Sequence, residues 1–334
     1  MKILVIGYGS IGKRHAANVK SLGHDAILLR HSNINPNTDG FKEYYSFEEA
    51  IIQEDIKGAI ICSPTSNHID DVKKLVEHDI PFLLEKPPSS DLDSTLNIGK
   101  YLYDYNFNKY DIGLNLRYYP SLQFIKKYLP NLGQIYSSQI YVGYYLPYWR
   151  KNVDYRKTSS ALKGLGGGVH IELVHEIDYA LWFFGYPKKI FGYVNRISNL
   201  EISTEDICSA LLQYKDGSII ELHLDYLSHK YLRGCRIIAE KGTLEWNMDN
   251  GNVYYFQRES KNTKQIFSIN SNYNFNETYL HELRNFIGII NGENKKKISI
   301  DHAIEVMKVV EAIKISSDEE KSIYLKDIIQ YVEA

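Results

Sequence analysis

The sequence predicts a two-domain α/β protein. The N-terminal domain is a doubly wound parallel sheet of the Rossmann type. The second is an α+β domain with a large, open, mostly antiparallel sheet. Three observations carry this reading. The 334 residues are about twice the usual single-domain length. A continuous apolar strand, Lys2–Ile6, runs directly into the closely spaced Gly7, Gly9 and Gly12. Up to Arg117 strands alternate with helices, which implies right-handed crossovers and parallel pairing; beyond it long alternating strands dominate. The division falls at 1–117 and 118–334.

Each element has a local reason. Lys2–Ile6 is apolar throughout, as in a parallel strand covered on both faces. Residues 9–22 place Ile11, His15, Val19 and Leu22 along one helical face. Ala26–Leu29 is the second strand. Ser46 and Glu49 form a capping box that opens a short helix. Ala59–Cys62 is the next strand, and Thr65 caps a helix carrying Ile69, Val72, Leu75 and Val76. Phe82–Leu84 and Ile112–Leu114 are strands separated by a helix over Ser94–Leu102. Pro120 starts a helix at a tolerated first-turn position. Strands follow at 135–145, 189–197, 207–214, 219–226, 235–240, 243–246 and 253–257. Asp216-Gly217, Lys241-Gly242 and Asn250-Gly251 read as hairpin turns between them. One apolar helix spans Val169–Phe184. Two late helices, near 279–290 and 303–315, precede a short strand at Ser322–Leu325.

Composition excludes several classes. Hydrophobic residues make up 44% and charged residues 24%, which rules out disorder. Lys plus Arg is 39 against 41 Asp plus Glu, so no electrostatic argument favours nucleic acid or an anionic membrane. No apolar run approaches the ~18 residues of a membrane helix. The glycines that interrupt the first apolar run speak against an export signal. Cys62, Cys208 and Cys235 lie far apart, which suits a reducing cytoplasm and excludes a disulfide scaffold.

The chemistry begins at Gly7-Tyr8-Gly9-Ser10-Ile11-Gly12, a G-x-G-x-x-G that follows a strand and opens a helix. Gly7 permits the tight turn, Gly9 lets the backbone approach a pyrophosphate, and Gly12 lets helix and strand pack closely. The helix N-terminus supplies unpaired N–H groups and partial positive charge. At the end of the second strand an acid would select NAD, whereas an arginine accommodates the 2′-phosphate of NADP. Here stand Arg30-His31-Ser32, with no acid, so NADP(H) is favoured over NAD(H). Ser63-Pro64-Thr65, Asn67 and His68 follow one strand and Glu85-Lys86-Pro87 the next. Both lie at carboxyl ends, where doubly wound folds bind ligands. A lysine there can hydrogen-bond a substrate hydroxyl and ease proton removal as hydride leaves the same carbon.

Further on, Glu172 and His175 stand three apart, hence on one helix face. His175 suits proton transfer near neutral pH. A core histidine bonded to Glu172 is the structural alternative. His170-x-Glu172-x-x-His175 holds one Glu-x-x-His; no second copy and no HExxH occur, so no metal is expected. The loop between Tyr144 and Gly166 carries Trp149, Arg150, Tyr155 and Arg156. Its arginines suit carboxylate or phosphate and its aromatics can stack on a sugar face.

These segments together resemble the glucose–fructose oxidoreductase/inositol dehydrogenase (Gfo/Idh/MocA) family over nearly the whole chain. The resemblance rests on the glycine loop, on Glu85-Lys86-Pro87, on 115–120 (Asn-Leu-Arg-Tyr-Tyr-Pro) and on 166–178, Gly166 to Asp178. It implies NAD(P)-dependent oxidation or reduction of a sugar, sugar derivative (nucleotide-linked or acidic) or cyclitol. It also implies a catalytic role for Lys86, a cis Lys86–Pro87 bond and contributions from Asn115 to cofactor binding and from Arg117 and His170 to substrate binding. In many relatives an Asp and a His stand four apart; Glu172 and His175, three apart, instead resemble a branch with Asp-x-x-His ahead of Glu-Ile-Asp, with Glu substituted for Asp. The expected arrangement has the substrate between the nicotinamide and the second domain's sheet. Lys86 acts on the reacting hydroxyl, His175 relays the proton and Glu172 orients it. A homodimer or homotetramer through the C-terminal sheet is expected. The alternatives are a non-catalytic dinucleotide sensor, which would not need both Lys86 and His175, and a reductase of non-sugar carbonyls.

Overall fold

The computed structural model describes residues 1–31, 37 and 39–332. The chain starts with β1 (Lys2–Ile6), α1 (Ser10–Ser21), β2 (Asp25–Leu29), β3 (Lys42–Tyr44), α2 (Phe47–Gln53) and β4 (Ile56–Ile61). It continues through α3 (His68–Glu77), β5 (Phe82–Glu85), α4 (Leu92–Asp104) and β6 (Tyr110–Gly113). The six strands form one parallel sheet in the order β3-β2-β1-β4-β5-β6. Strand order reverses between β1 and β4, the switch point at which such sheets bind dinucleotides. The central strands are apolar because both faces are covered: Ile3, Leu4, Val5, Ile60, Ile61, Leu83 and Leu84 are fully buried.

Caps set the helix starts. The Ser46 hydroxyl accepts from the Glu49 N–H at 3.2 Å and opens α2. Asp91 accepts from the Ser94 N–H at 2.7 Å, so α4 opens at Leu92, ahead of the expected Ser94. Thr65 does not cap α3; it opens a 3₁₀ turn, Thr65–Asn67, and α3 starts at His68. The three-residue β3 is too short to show a period in the sequence.

The second stretch runs α5 (Pro120–Tyr128), β7 (Ile135–Gly143), α6 (Val169–Glu172), α7 (His175–Phe184), β8 (Lys189–Asn195), β9 (Ile207–Gln213) and β10 (Ile219–Asp225). Then come β11 (Leu232–Ala239), β12 (Gly242–Asn247), β13 (Val253–Gln257) and β14 (Thr263–Phe267). The expected single helix over Val169–Phe184 is two. Leu173 leaves helical backbone (φ −96°, ψ 31°) and interrupts the ladder between Glu172 and His175. The chain closes with α8 (Asn276–Ile290), α9 (Ile300–Asp318), β15 (Ile323–Tyr324) and α10 (Ile328–Val332). Nine strands form the second sheet, β14-β13-β12-β11-β7-β10-β9-β8-β15. Only the β7–β10 pair is parallel. Side chains alternate across it. Ile190, Cys208, Leu212, Ile220 and Leu222 are buried, while Phe191, Tyr193, Leu211, Ile219 and Leu232 are exposed on the strands.

The chain forms two compact units. The first is Met1–Asn115 with Phe275–Ile304; the second is Leu116–Asn274 with the chain from Glu305 onward. The return of 275–304 to the first unit is absent from the sequence reading. Its cause is packing: Leu283 and Phe286 of α8 share a core with Ile3, Val5 and Ile60, flanked by Ile287 and Ile290. Gly58 makes room, since a Cβ there would meet the Ile290 side chain at 2.5 Å. No helix among the described residues is long and apolar enough to cross a membrane.

Candidate functional site

In the first unit the glycine loop is a tight turn at the start of α1. Gly7 has φ +92°, and a Cβ there would meet the Cys62 carbonyl oxygen at 2.6 Å. A Cβ on Gly12 would meet the Gly7 oxygen at 2.1 Å, so α1 can lie this close to β1 only without a side chain. Gly9 differs: a Cβ there would meet nothing within 4 Å. No packing among the described residues demands that glycine, and the open space leaves the backbone approachable by a ligand. Gly9 is also the N-cap of α1 and makes no side-chain cap. The N–H groups of the first turn, those of Ser10 and Ile11 among them, have no partner within the helix and suit an anion. The residues present therefore fit a dinucleotide pyrophosphate.

Arg30 follows β2 directly, as expected, but its charge is already met. Its Nη1 lies 2.8 Å from Glu43 Oε2 on β3, the strand the sequence did not reveal. Arg30 also lies over the Tyr8 ring, 5.9 Å from its centroid. The Tyr8 hydroxyl donates to Asp39, and burial with that bond pushes it well up. His31 is exposed, and Ser32 lies outside the described residues.

The loops after β4 and β5 are tied together. Buried Ser63 donates to Asp71 at 2.5 Å. His68 is 1% exposed, with Nε2 3.1 Å from the Ser63 carbonyl and Nδ1 3.2 Å from that of Pro88. Burial lowers its pKa. His68 thus spans the two cofactor-side loops, while Pro64 is exposed and Thr65 and Asn67 are half-buried. Glu85 Oε1 sits 2.6 Å from His15 Nε2, and its Oε2 accepts from the Lys86 N–H at 3.2 Å. Lys86 is half-buried, and its bond to Pro87 is cis. Asn115 donates to the Thr278 hydroxyl at 2.8 Å. The buried His15 and Glu282 went unnoticed as site residues; the one available signal was a histidine on the apolar face of α1.

In the second unit Arg117 forms a buried bidentate pair with Asp178, at 2.8 and 2.7 Å, and lies 4.5 Å over the Trp182 ring. A second buried pair joins Arg233 to Glu176 at 2.8 Å. Asp178 and Glu176 stand in the motif, yet neither partner is visible from spacing. Glu172 accepts from Ser160 at 3.0 Å, which ties the end of α6 to the preceding loop. His175 opens α7 and is 8% exposed. His170 is buried, and that burial lowers its pKa to about 4, so it is a neutral imidazole. Its Nδ1 has no hydrogen-bond partner among the described residues.

The loop residues separate into two groups. Arg156 is held by Asp154 (2.8 Å) and Glu201 (3.1 Å), and the Tyr155 hydroxyl accepts from the Glu201 N–H, so these brace the loop itself. Trp149 donates to the Tyr144 carbonyl at 2.8 Å and packs edge-on against Tyr226. Arg150 has no hydrogen bond or ion pair among the described residues. It lines an open cleft of about 480 Å³ with Tyr144, Tyr148, Lys151 and His229.

Two family models match. Residues 1–103 fit the oxidoreductase family, NAD-binding Rossmann fold, and residues 130–245 fit the GFO/IDH/MocA C-terminal domain. The chain belongs to the Gfo/Idh/MocA oxidoreductases. An uncharacterized oxidoreductase, YrbE, of Bacillus subtilis is 27% identical over 54% of this chain, which spans 53% of that relative. A myo-inositol 2-dehydrogenase of Thermotoga maritima is 22% identical over 98% of this chain and 100% of its own length. The fold matches that of an oxidoreductase from Desulfitobacterium hafniense described as NADPH-dependent (TM-score 0.85, 16% identity, covering 98% of this chain and 99% of that one). It matches equally a levoglucosan dehydrogenase in complex with NADH (TM-score 0.83, 16% identity, 97% and 99% covered).

The expected preference for NADP(H) is corrected. The N-terminal family is NAD-binding, and four of the matched structures hold NAD+, NAD or NADH. The physical reason lies in the Arg30–Glu43 pair: the cation meant for a 2′-phosphate is neutralised by an acid from the neighbouring strand.

Proposed function

We propose that this Gfo/Idh/MocA protein transfers a hydride between bound NAD(H) and a CH–OH carbon of a sugar, sugar derivative or cyclitol. One observation carries the reading. Within one sheet, a phosphate loop lies at the switch point, and two strands away a half-buried lysine follows a buried, hydrogen-bonded glutamate. The bound nicotinamide supplies the hydride acceptor or donor. The protein's own task is to orient the reacting carbon and move the hydroxyl proton. Lys86 takes or polarises that proton and His175 relays it. The named relatives support the substrate class: one is a myo-inositol dehydrogenase, another a levoglucosan dehydrogenase.

Arg150 points to an acidic member of this class. A charge-assisted hydrogen bond from its guanidinium is worth about 1.5–3 kcal/mol, or about ten- to a hundredfold in affinity. We expect NADH formation with at least one member of a panel of cyclitols, neutral sugars, uronic acids and nucleotide sugars. Arg150→Ala should raise KM for the acidic substrates by that factor and leave kcat unchanged. No turnover across the panel contradicts the function; an unchanged KM contradicts the acidic substrate.

Two further parts belong to this reading. The chain assembles as a dimer or tetramer through the exposed apolar face of its second sheet, supported by Phe191, Tyr193 and Leu211. Light scattering that gives the mass of a single chain contradicts it. It works in the cytoplasm, supported by three free, buried cysteines; recovery outside the cytoplasmic fraction of its own cells contradicts that.

A further inference from the structure

Beside Glu85 lies a buried acid that the reaction, as described so far, does not use. Glu282 on α8 is 1% exposed, and neither carboxyl oxygen has a hydrogen-bond partner among the described residues. It shares a cluster with His15 of α1 and Glu85 of β5 in which one polar atom from each lies within 4.8 Å of the others. Glu85 is the hub. One of its oxygens is on His15 Nε2 at 2.6 Å, and the other accepts from the Lys86 N–H at 3.2 Å.

A buried carboxyl without a partner does not hold a charge. Burial, reinforced by the charges of Glu85 and Asp111, pushes the Glu282 carboxyl well above the usual carboxylate range, against a smaller opposing effect of Lys297. It therefore carries an O–H that needs an acceptor. The Glu85 carboxylate has lone pairs to spare, and the terminal torsion of a glutamate rotates freely enough to close the gap. A leucine would fill the same space without desolvating a polar group.

We propose that Glu282 is a positioning residue: its carboxyl donates to Glu85 and, with His15, fixes the Glu85–Lys86 junction from which the lysine reaches the reacting hydroxyl. This rests on the reading of Lys86 as the proton-transfer lysine. The same three side chains are also a donor set for a divalent cation, an outcome that the test separates from the proton reading.

The test uses the full chain, NAD+ and the fastest substrate of the panel, with E282L, E282Q and K86A compared. E282L should bind NADH normally and melt no lower than the parent, while kcat falls about 10- to 100-fold with little change in KM, as expected for a misplaced catalytic group. E282Q, whose amide N–H still donates, should recover most of kcat. In infrared spectra at neutral pH, the carbonyl stretch of a protonated carboxyl should be present in the parent and lost in E282Q. If E282L does not fold, E282M takes its place. The proposal is overturned by E282L at parental kcat, by E282Q as slow as E282L, by absence of the infrared band, or by a stoichiometric divalent metal that E282Q loses. Normal turnover in K86A fails the Lys86 reading itself; parental kcat in E282L beside a slow K86A fails only the present inference.

Discussion

Lys86→Ala should lower turnover by about 10²–10⁴-fold, the range for loss of a positioned acid or base, and NADH affinity should stay as it was. The lysine follows a strand whose last residue, Glu85, is buried and holds the Lys86 N–H at 3.2 Å. In the proposed function Lys86 acts at the reacting hydroxyl, whereas the glycine loop takes the pyrophosphate. His175→Ala should fall in the same range. It sits at the first turn of α7 and is 8% exposed, so thermal unfolding must be followed beside the kinetics. If the two side chains serve one proton-transfer step, the double variant loses less than the product of the single losses. A histidine variant with full turnover and a lowered melting temperature would mark a packing residue. Full turnover in both single variants would remove the catalytic assignment while leaving the fold and family intact.

The second large effect lies in the glycine loop, where two similar residues should behave differently. Gly9→Val should weaken NADH binding by at least about a hundredfold, or about 2.7 kcal/mol, with cooperative unfolding at a nearly unchanged temperature. The reason is the open space at this position: a Cβ meets no protein atom within 4 Å, so the new side chain occupies only the ligand's approach. Gly12→Val should instead cost folding stability, because its Cβ would lie 2.1 Å from the Gly7 oxygen. Fluorescence titration and thermal melts of both variants check this. Parental NADH affinity in Gly9→Val would mean that the pyrophosphate binds elsewhere.

What the sequence revealed follows the range of the interactions. The strand, the glycine loop and α1 were legible because a period change and a turn requirement are local. So were Ser46 as a cap and the parallel sheet. The edge strand β3 was not, and with it went the Arg30–Glu43 pair that reverses the cofactor expectation. The break at Leu173 was hidden because Val169–Phe184 is apolar enough to read as one helix. Its consequence is local: Glu172 ends one helix, bonded to Ser160, and His175 begins the next. Arg117 looked available for substrate, but its guanidinium is paired bidentately with Asp178, a contact 61 residues away in sequence. Likewise Arg156 is spent on Asp154 and Glu201, which leaves Arg150 as the loop arginine facing the cleft. Glu282 stands among His281, Arg284 and Asn285 in the sequence and reads as an ordinary surface acid; only the tertiary fold brings it to His15 and Glu85.

The central claim is direct hydride transfer between a CH–OH carbon and NAD. It is tested most directly with the panel substrate deuterated at its reacting carbon, turned over with NAD+ in ordinary water, and the reduced cofactor examined by mass spectrometry. The account predicts one deuterium retained on the nicotinamide ring for each substrate oxidised. Unlabelled NADH, with the deuterium released to solvent, would contradict it.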